Sequence, residues 1–296
     1  MRTLWPDVVQ TVLAPMDMLG GAAALLTRTP WILKESSCSL MYTTYRQYWF
    51  RSAFGRLADA VVANSVGGYE YWRPMFKNRP LHLIPNGLPL EELAKTDALT
   101  VSDLTFRPNQ KVIVFAGRLD IGKNVESAIA ALARIADDVP FVFIICGDGS
   151  HRRRVQRQAS KLGIAHRVIV AGYVDYVWQL LKRADAFVSM SRCEGRPNVV
   201  LEAMACGCPI VASEIPAHRE ILDDETAFFA RLDDVESASQ VMKRALTDVD
   251  AARARAAAAQ ARIADSTVEK MARLYEQVYR DVAAYADLLT ERVEEA

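Results

Sequence analysis

Short buried strand patterns alternate with helical patterns along most of the chain, and no other feature restricts its fold so strongly. Apolar runs with the length and residue types of buried strands occur at Asp7–Leu13, Trp31–Lys34, Ala60–Ala63, Leu81–Ile84, Val112–Ala116, Phe141–Cys146, Val168–Ala171, Ala186–Met190 and Ile210–Ala212. Helical periodicity fills most of the intervals between them. Because parallel strands need crossover connections, the alternation predicts an α/β fold with parallel sheets covered by helices on both faces.

The alternation is interrupted once, which predicts two domains. Residues 93–109 lose periodicity and are predicted to form a linker. A chain of 296 residues is long enough for two domains of ordinary size. We therefore expect a first domain over residues 1–98, a second, doubly wound domain over residues 99–275, and a C-terminal helix over residues 276–296. The apolar spacing across Val268–Leu289 indicates that this end is one long amphipathic helix.

Charge balance and cysteine content limit the kinds of partner. The 36 basic and 36 acidic residues give a formal net charge of zero, so no general electrostatic field favours nucleic acid or a membrane. The cysteines and histidines lack the paired spacing of zinc sites, so no metal site is predicted and most cysteines are expected to be reduced. The apolar run Val8–Leu26 is broken by Pro15 and Asp17 and is a poor membrane span. No signal-peptide pattern opens the chain, and we expect a cytoplasmic protein.

The stretch Glu194–Glu202 places two carboxylates between a predicted strand and a predicted helix. Gly195 allows a tight turn, and Pro197 suits a first helical position. The free N–H groups of Asn198 and Val199 then point toward the carboxyl end of the sheet. Phosphate and sugar oxygens commonly bind at such a place.

Glu202 lies on this predicted helix among apolar neighbours. Residues 199–201 and 203–205 are all apolar, so the carboxylate needs a polar partner. Two vicinal hydroxyl groups of a ligand would provide one. The alternative is that Glu194 and Glu202 are two solvated acids beside a helix start.

This stretch resembles the paired-glutamate signature of retaining glycosyltransferases of the family-4 type, also called glycosyl transferases group 1, which use nucleotide sugars. The resemblance implies the GT-B fold, in which two Rossmann-like domains of doubly wound parallel sheets face a cleft. It also implies that Glu194 faces the donor hexose and that Glu202 holds the ribose hydroxyls. A C-terminal helix that returns to the first domain is typical of the same family.

The segment Ala116–Asn124 follows the first strand of the second domain and is similar to the family's Gly-Arg-Leu segment with its later lysine. The resemblance implies that Gly117, Arg118 and Lys123 meet the donor and that the two cations hold its diphosphate. Positive charge at this position would stabilise the leaving nucleotide, so we expect neither a metal ion nor another cofactor. Two basic residues on a solvated turn remain the alternative.

Two further strand ends resemble family features. Gly147 and Gly149, in the turn after Cys146, correspond to a loop beside the bound nucleotide, although Gly-Asp-Gly is also an ordinary turn. Tyr173 follows the next strand and corresponds to a contact with the base; the alternative is a packed surface aromatic residue. His218 is predicted to be structural.

The family pattern begins here about midway through its first domain, near Pro6. We therefore expect the first domain to be incomplete, with an open sheet edge that associates readily. Three explanations compete: a misassigned start codon or incomplete gene, a partner chain that completes the sheet, or a degenerate enzyme; we favour the first. The family's sugar-contacting histidine is also absent after Lys34, where Glu35 and Ser36 stand instead. One of these two takes a related role, or the catalysis differs in detail.

Residues 42–56 interleave aromatic side chains with Arg46, Arg51 and Arg56. One interpretation is a core helix whose arginines extend to solvent. The other is an interfacial helix that brings the protein to a lipid-linked acceptor, which would make it peripheral on the inner membrane face. A second basic run, residues 151–157, is predicted to be a solvated helix face.

These features predict an enzyme that moves a hexose-type sugar from a UDP-sugar or GDP-sugar to a hydroxyl of a glycan or lipid-linked acceptor, with retention of configuration. Two alternatives are a non-catalytic or partner-dependent subunit that only binds the nucleotide sugar, and a nucleotide-sugar epimerase of the same fold.

Overall fold

The computed structural model describes residues 6–38, 46–99 and 109–294 and divides the chain into two compact units. Unit 1 comprises Met1–Gly87 together with Ser266–Ala296, and unit 2 comprises Leu88–Asp265. Each unit has its own parallel sheet.

Unit 1 is built on a four-stranded sheet with the order β1-β2-β3-β4, in which all neighbouring strands are parallel. Its elements in chain order are β1 (Val9–Val12), α1 (Ala14–Thr27), β2 (Trp31–Glu35), α2 (Arg46–Gly55), β3 (Ala60–Ala63), α3 (Val66–Trp72) and β4 (Leu81–Leu83). Ser65 begins α3, because its hydroxyl oxygen accepts a hydrogen bond from the Gly68 N–H at 3.2 Å.

The sheet of unit 1 is covered on both faces, as the continuous apolar strands require. One face carries Trp31, Leu33 and Val61 against Trp72 and Phe76. The other face meets the last helix of the chain, which spans Val268–Glu294; the residues packed there are Ile32, Ala60, Val62, Ile84, Tyr275, Val278 and Val282. The predicted C-terminal helix therefore belongs to the core of unit 1.

A buried ion triad connects α1, α2 and β2. The Arg51 guanidinium donates to Asp17 Oδ2 and to Glu35 Oε2, both at 2.5 Å, and all three side chains are almost completely buried. Burial raises the pKa of the Asp17 carboxyl, and the charge of Arg51 opposes that rise. Burial alone would lower the pKa of Arg51, but the two carboxylates raise it above its usual range. The triad thus holds both helices against the end of β2.

Unit 2 is built on a six-stranded parallel sheet with the order β10-β9-β8-β5-β6-β7. Its strands are β5 (Lys111–Ala116), β6 (Phe141–Cys146), β7 (Val168–Gly172), β8 (Ala186–Ser189), β9 (Ile210–Ser213) and β10 (Phe228–Ala230). Its helices are α4 (Leu90–Lys95), α5 (Val125–Arg134), α6 (Arg152–Lys161), α7 (Val177–Arg183), α8 (Asn198–Ala205), α9 (Pro216–Arg219), α10 (Val235–Thr247) and α11 (Val249–Ile263); the helix of unit 1 at Val268–Glu294 is α12. This is the doubly wound arrangement predicted for the second half of the chain, with apolar clusters on both faces of the sheet.

The structure corrects the sequence-based elements in three places. β10 was missed because Phe228–Ala230 is too short to show a period. The predicted linker over residues 93–109 begins inside α4, whose Leu93 is buried in the core of unit 2; residues 100–108 lie outside the described part. Pro197 flanks α8 in an extended conformation instead of occupying its first turn.

Arg51 is also corrected. It does not extend to solvent along α2, as the core-helix interpretation expected, and burial in the ion triad keeps it from lipid headgroups as well. Residues 42–45 of the same sequence pattern lie outside the described residues. Among the helices that the structure describes, none combines the length and the apolar character needed to cross a membrane.

We expect Arg51→Met to destabilise unit 1 by about 3–5 kcal/mol, because it leaves two buried carboxylates without their cation. Urea unfolding followed by tryptophan fluorescence would measure this, since Trp31 and Trp72 lie in the core of unit 1. Arg46→Met is the matched control, because Arg46 is exposed at the start of the same helix. Equal effects of the two substitutions would contradict the energetic role of the triad.

Candidate functional site

Unit 2 contains a cavity of about 700 Å³ where the chain leaves the carboxyl ends of β5, β6, β7 and β8. These strands are neighbours in the sheet, so their loops meet at one edge. The sequence-predicted site residues that line the cavity are Gly117, Arg118, Lys123, Gly147, Tyr173, Glu194, Asn198, Val199 and Glu202. Gly149 is not among the lining residues.

Lys123 and Glu194 form an ion pair across the loops that follow β5 and β8. Lys123 Nζ donates to Glu194 Oε1 at 2.6 Å, and the Ser191 hydroxyl donates to the same oxygen at 2.7 Å. Both charged side chains are largely buried. The family resemblance assigns the diphosphate to Lys123 and the hexose to Glu194. In this structure the two side chains bind each other directly.

Arg118 is the more accessible of the two predicted cations, with 77% of its side chain exposed. Its Nε lies 2.7 Å from Asp120 Oδ2, and Asp120 Oδ1 accepts hydrogen bonds from the N–H groups of Gly122 and Lys123. Asp120 thus shapes the turn that carries both cations, although sequence reasoning gave it no role. Because solvent screens the Arg118–Asp120 pair, a polyanion can compete for Arg118 at little cost.

Glu202 is half-buried on α8, and the partner that its apolar surroundings require is Trp178 on α7. The Trp178 indole N–H donates to Glu202 Oε2 at 3.1 Å. Burial raises the pKa of the Glu202 carboxyl, and this hydrogen bond opposes the rise. Oε1 receives no hydrogen bond from the described residues, so it is the oxygen left for a ligand. Sequence reasoning missed Trp178. The one feature that could have indicated it is an indole N–H donor on a helix next to the site.

The start of α8 supplies backbone donors to the cavity. The Val200 and Leu201 N–H groups donate to the Pro197 carbonyl. No described residue accepts a hydrogen bond from the N–H of Val199, a residue that lines the same cavity. An anion at this position would satisfy it.

Gly147, which lines the cavity, and Gly149 are also needed for the packing of two loops. Both have positive φ, and a Cβ on Gly147 would lie 1.9 Å from the Gly117 carbonyl oxygen. A Cβ on Gly149 would lie 2.3 Å from the Leu119 carbonyl oxygen. The glycines therefore let the loops after β5 and β6 pack against each other, where Leu119 N–H donates to the Asp148 carbonyl at 2.9 Å.

Arg196 is a lining residue that sequence reasoning passed over, although it stands inside the paired-glutamate stretch. Its Nη1 lies 3.1 Å from Glu220 Oε1, and both side chains are mostly buried. Its Nε is buried and has no hydrogen-bond partner in the described part of the chain. Burial lowers the pKa of the Arg196 guanidinium, and Glu220 opposes that change. The pair fixes the loop before α8 to the segment after α9.

Tyr173 and His218 differ in accessibility. The Tyr173 side chain is 86% exposed at the mouth of the cavity, just after Gly172, so its ring is free to meet a ligand. His218 is fully buried, as expected for a structural residue: Nδ1 donates to the Ser213 carbonyl at 2.7 Å and Nε2 accepts from the Ser189 hydroxyl at 3.1 Å. Burial lowers the pKa of His218.

In unit 1, Glu35 does not have a free carboxylate. Besides Arg51, it accepts hydrogen bonds from the Trp72 indole N–H at 2.8 Å and from the Ser37 N–H at 2.7 Å. Its side chain is completely buried. Glu35 therefore cannot contact a ligand in this conformation, which contradicts the expectation that it could take over the role of the missing histidine.

Relatives identified from sequence include two bacterial enzymes. The N-acetylgalactosamine-N,N′-diacetylbacillosaminyl-diphospho-undecaprenol 4-alpha-N-acetylgalactosaminyltransferase of Campylobacter jejuni is 28% identical over 195 residues, covering 64% of this chain and 52% of that protein. The UDP-Gal:alpha-D-GlcNAc-diphosphoundecaprenol alpha-1,3-galactosyltransferase of Escherichia coli is 29% identical over 269 residues, covering 82% and 67%. The matched part of the chain thus spans between half and two thirds of these relatives.

Solved structures show the same fold. Sucrose-phosphate synthase from Thermosynechococcus elongatus superposes with a TM-score of 0.82 at 23% identity, covering 94% of this chain and 74% of that one. Anabaena HepE in complex with UDP-glucose gives a TM-score of 0.84 at 21% identity, covering 93% and 79%. The fold is therefore GT-B, as the resemblance implied.

The family model described as glycosyl transferases group 1 matches residues 100–262, which is more than half of the chain. The matched range contains every residue that lines the cavity. The chain belongs to the glycosyl transferases group 1 family.

Proposed function

We propose that the protein transfers a hexose-type sugar from a nucleoside diphosphate sugar to an acceptor hydroxyl, with retention of configuration. The observation that carries this proposal is the cavity of unit 2, at which Arg118, Lys123, Glu194, Glu202 and the first turn of α8 converge at the strand ends. Family membership supports the reaction class.

In this proposal the donor lies along the strand ends. Glu202 Oε1 accepts hydrogen bonds from the ribose hydroxyls, and Tyr173 meets the base. Arg118, Lys123 and the Val199 N–H bind the diphosphate. Lys123 then exchanges its contact with Glu194 for a phosphate oxygen, and the released Glu194 carboxylate accepts hydrogen bonds from the hexose.

The proposed chemistry breaks the bond between the anomeric carbon and the phosphate oxygen. The acceptor oxygen attacks the same face of the sugar, and its proton passes to the leaving phosphate. Negative charge develops on the nucleotide as the bond breaks, and Lys123 and Arg118 stabilise it there. In this proposal the two cations need no metal ion beside them, so transfer should persist in the presence of a chelator.

The names of two relatives support the proposed acceptor class. Both enzymes named above carry diphospho-undecaprenol in their names, so their substrates are lipid-linked. We propose a glycan or lipid-linked acceptor for this chain as well, which unit 1 would bind while unit 2 binds the donor. A partner chain that completes the sheet next to β1 remains part of the proposal, because β1 forms an edge of that sheet.

The first test is the thermal shift of the chain with UDP-sugars and GDP-sugars. A donor at about a hundred times its Kd adds about 2.7 kcal/mol and raises the melting temperature by several degrees. Arg118→Ala should reduce the shift, whereas Arg231→Ala should not, because Arg231 is similarly exposed (73%) and paired with Asp234 but lies outside the cavity. Nucleotide binding without any transfer product, or conversion of the donor to an isomer, would overturn the proposed reaction.

The two glutamates should separate binding from turnover. Glu202→Gln should weaken binding of the nucleoside diphosphate roughly tenfold or more, because a charged acceptor of the ribose hydroxyls is lost. Glu194→Gln should leave that binding almost unchanged and lower kcat by roughly a hundredfold. Calorimetry with the nucleotide and steady-state kinetics would measure the two effects. An equal loss of nucleotide affinity in both variants would contradict the division of roles.

Trp178 should act through Glu202. Trp178→Phe removes the indole donor but keeps an aromatic ring, and we expect about fivefold weaker binding of the ribonucleotide. A 2′,3′-dideoxynucleotide, which has no ribose hydroxyls to offer, should bind both proteins equally. If the substitution weakens both nucleotides to the same extent, Trp178 serves packing alone.

A further inference from the structure

One oxygen of Glu194 is shared by two donors that are held in different ways. Lys123 Nζ lies 2.6 Å from Oε1, and the Ser191 hydroxyl donates to the same oxygen at 2.7 Å. The Lys123 side chain is 21% exposed, whereas Ser191 is fully buried. Because lysine carries its ammonium on a flexible four-carbon chain, Lys123 can change partner more easily than a buried serine hydroxyl can.

The backbone at Ser191 is fixed from two sides. Its carbonyl accepts a hydrogen bond from the Ser213 hydroxyl at the end of β9, at 2.5 Å, and both serines are buried. The N–H of the next residue, Arg192, donates to the Gly122 carbonyl in the loop after β5 at 2.8 Å. Neither contact involves the side chain of Lys123. The Ser191 hydroxyl therefore stays in place when that side chain changes partner.

The hydrogen bond from Ser191 matters most once Lys123 has moved. Within the described part of the chain, Lys123 and Ser191 are the only donors to the Glu194 carboxylate. The Glu194 side chain is only 11% exposed, so its charge needs hydrogen bonds from the protein or from a ligand. When Lys123 binds the donor diphosphate, the Ser191 hydroxyl is the protein donor that remains.

We propose that Ser191 is a positioning residue for the donor sugar. Its hydroxyl holds Oε1 of Glu194 after Lys123 has left, and Oε2 then accepts hydrogen bonds from the hexose. No described residue donates a hydrogen bond to Oε2. This inference deepens the proposed function and rests on it, because it requires a sugar that meets Glu194.

Binding of the nucleotide with and without its sugar tests the proposal and needs no turnover. The two ligands are a UDP-sugar or GDP-sugar, chosen as the one that gives the largest thermal shift, and the corresponding nucleoside diphosphate. Ser191→Ala should change the Kd of the nucleoside diphosphate by less than about twofold and weaken binding of the nucleotide sugar about fivefold. Calorimetry would measure both. A substitution that weakens both ligands equally, or neither of them, would overturn the proposal.

Turnover shows whether Ser191 acts through Glu194. Ser191→Ala should lower kcat by roughly tenfold in the otherwise unchanged chain. In a Glu194→Ala background the same substitution should lower kcat by less than about twofold, because the carboxylate that it positions is gone. Release of the nucleoside diphosphate from the nucleotide sugar would give both values. Equal losses in the two backgrounds would contradict a role through Glu194.

Ser189→Ala is the matched control. Ser189 ends β8 and is also buried, but its hydroxyl donates to His218 at 3.1 Å instead of to Glu194. Both serine substitutions remove one buried hydroxyl and should lower the free energy of unfolding to a similar extent, which urea unfolding would measure. Only Ser191→Ala should lower kcat. A similar loss of kcat in Ser189→Ala would assign both effects to the fold and overturn the proposal.

Ser191→Thr keeps the hydroxyl and should recover most of the kcat that Ser191→Ala loses. Because the added methyl group enters a fully buried site, its unfolding is measured beside its kcat. A threonine variant that is as stable as the wild type and as slow as Ser191→Ala would contradict the proposal.

The inference and the proposed function can fail separately. A wild-type chain that binds no nucleotide sugar would overturn both. A chain that binds the sugar donor without transfer would overturn the proposed reaction, and the comparison of the two ligands would still decide the role of Ser191. A chain that transfers the sugar, and does so equally well after Ser191→Ala, would overturn the role of Ser191 alone.

Discussion

The ion pair between Lys123 and Glu194 joins the loops that leave the adjacent strands β5 and β8, and the organisation of the cavity depends on it. Without a ligand, each group neutralises the other in surroundings from which much of the water is excluded. In the proposed complex a donor diphosphate replaces Glu194 as the anionic partner of Lys123, so the buried cation would not be left unpaired. Arg118, held over the cavity by Asp120, presents its charge to solvent and would meet the diphosphate first.

Three further side chains hold the two glutamates and the loop between them in place. Trp178 fixes one oxygen of Glu202, Ser191 shares the oxygen of Glu194 that faces Lys123, and Arg196 ties the loop before α8 to Glu220. Gly147 and Gly149 act indirectly, because they allow the loops after β5 and β6 to pack against each other. The geometry of the cavity is therefore set by contacts between loops as much as by the sheet.

The sequence was sufficient to predict the parallel sheets, the helix after Glu194 and the group of residues that would meet at the strand ends. These follow from periodicity and from the rule that parallel strands end at the same edge. Periodicity does not pair residues that are distant in the chain, so Trp178 with Glu202 and Arg51 with Asp17 were not predicted. Arg46 and Arg51 look alike in a sequence, yet one is exposed and the other lies at the centre of a buried triad. The three residues of β10 carry too little pattern to be recognised without their neighbour β9.

His218 bridges β8 and β9 as a single neutral tautomer, because a carbonyl oxygen on one side can only accept and a hydroxyl on the other can donate. Its pKa in the folded chain lies below the ordinary value of 6.5. The unfolded chain therefore takes up a proton first as the medium is acidified. Above pH 6.5 the histidine is mostly neutral in both the folded and the unfolded chain, so it hardly affects the free energy of unfolding. Below that pH the free energy of unfolding falls by at most about 1.4 kcal/mol for each pH unit. Mild acidity thus lowers the free energy of unfolding through a histidine that links the ends of β8 and β9.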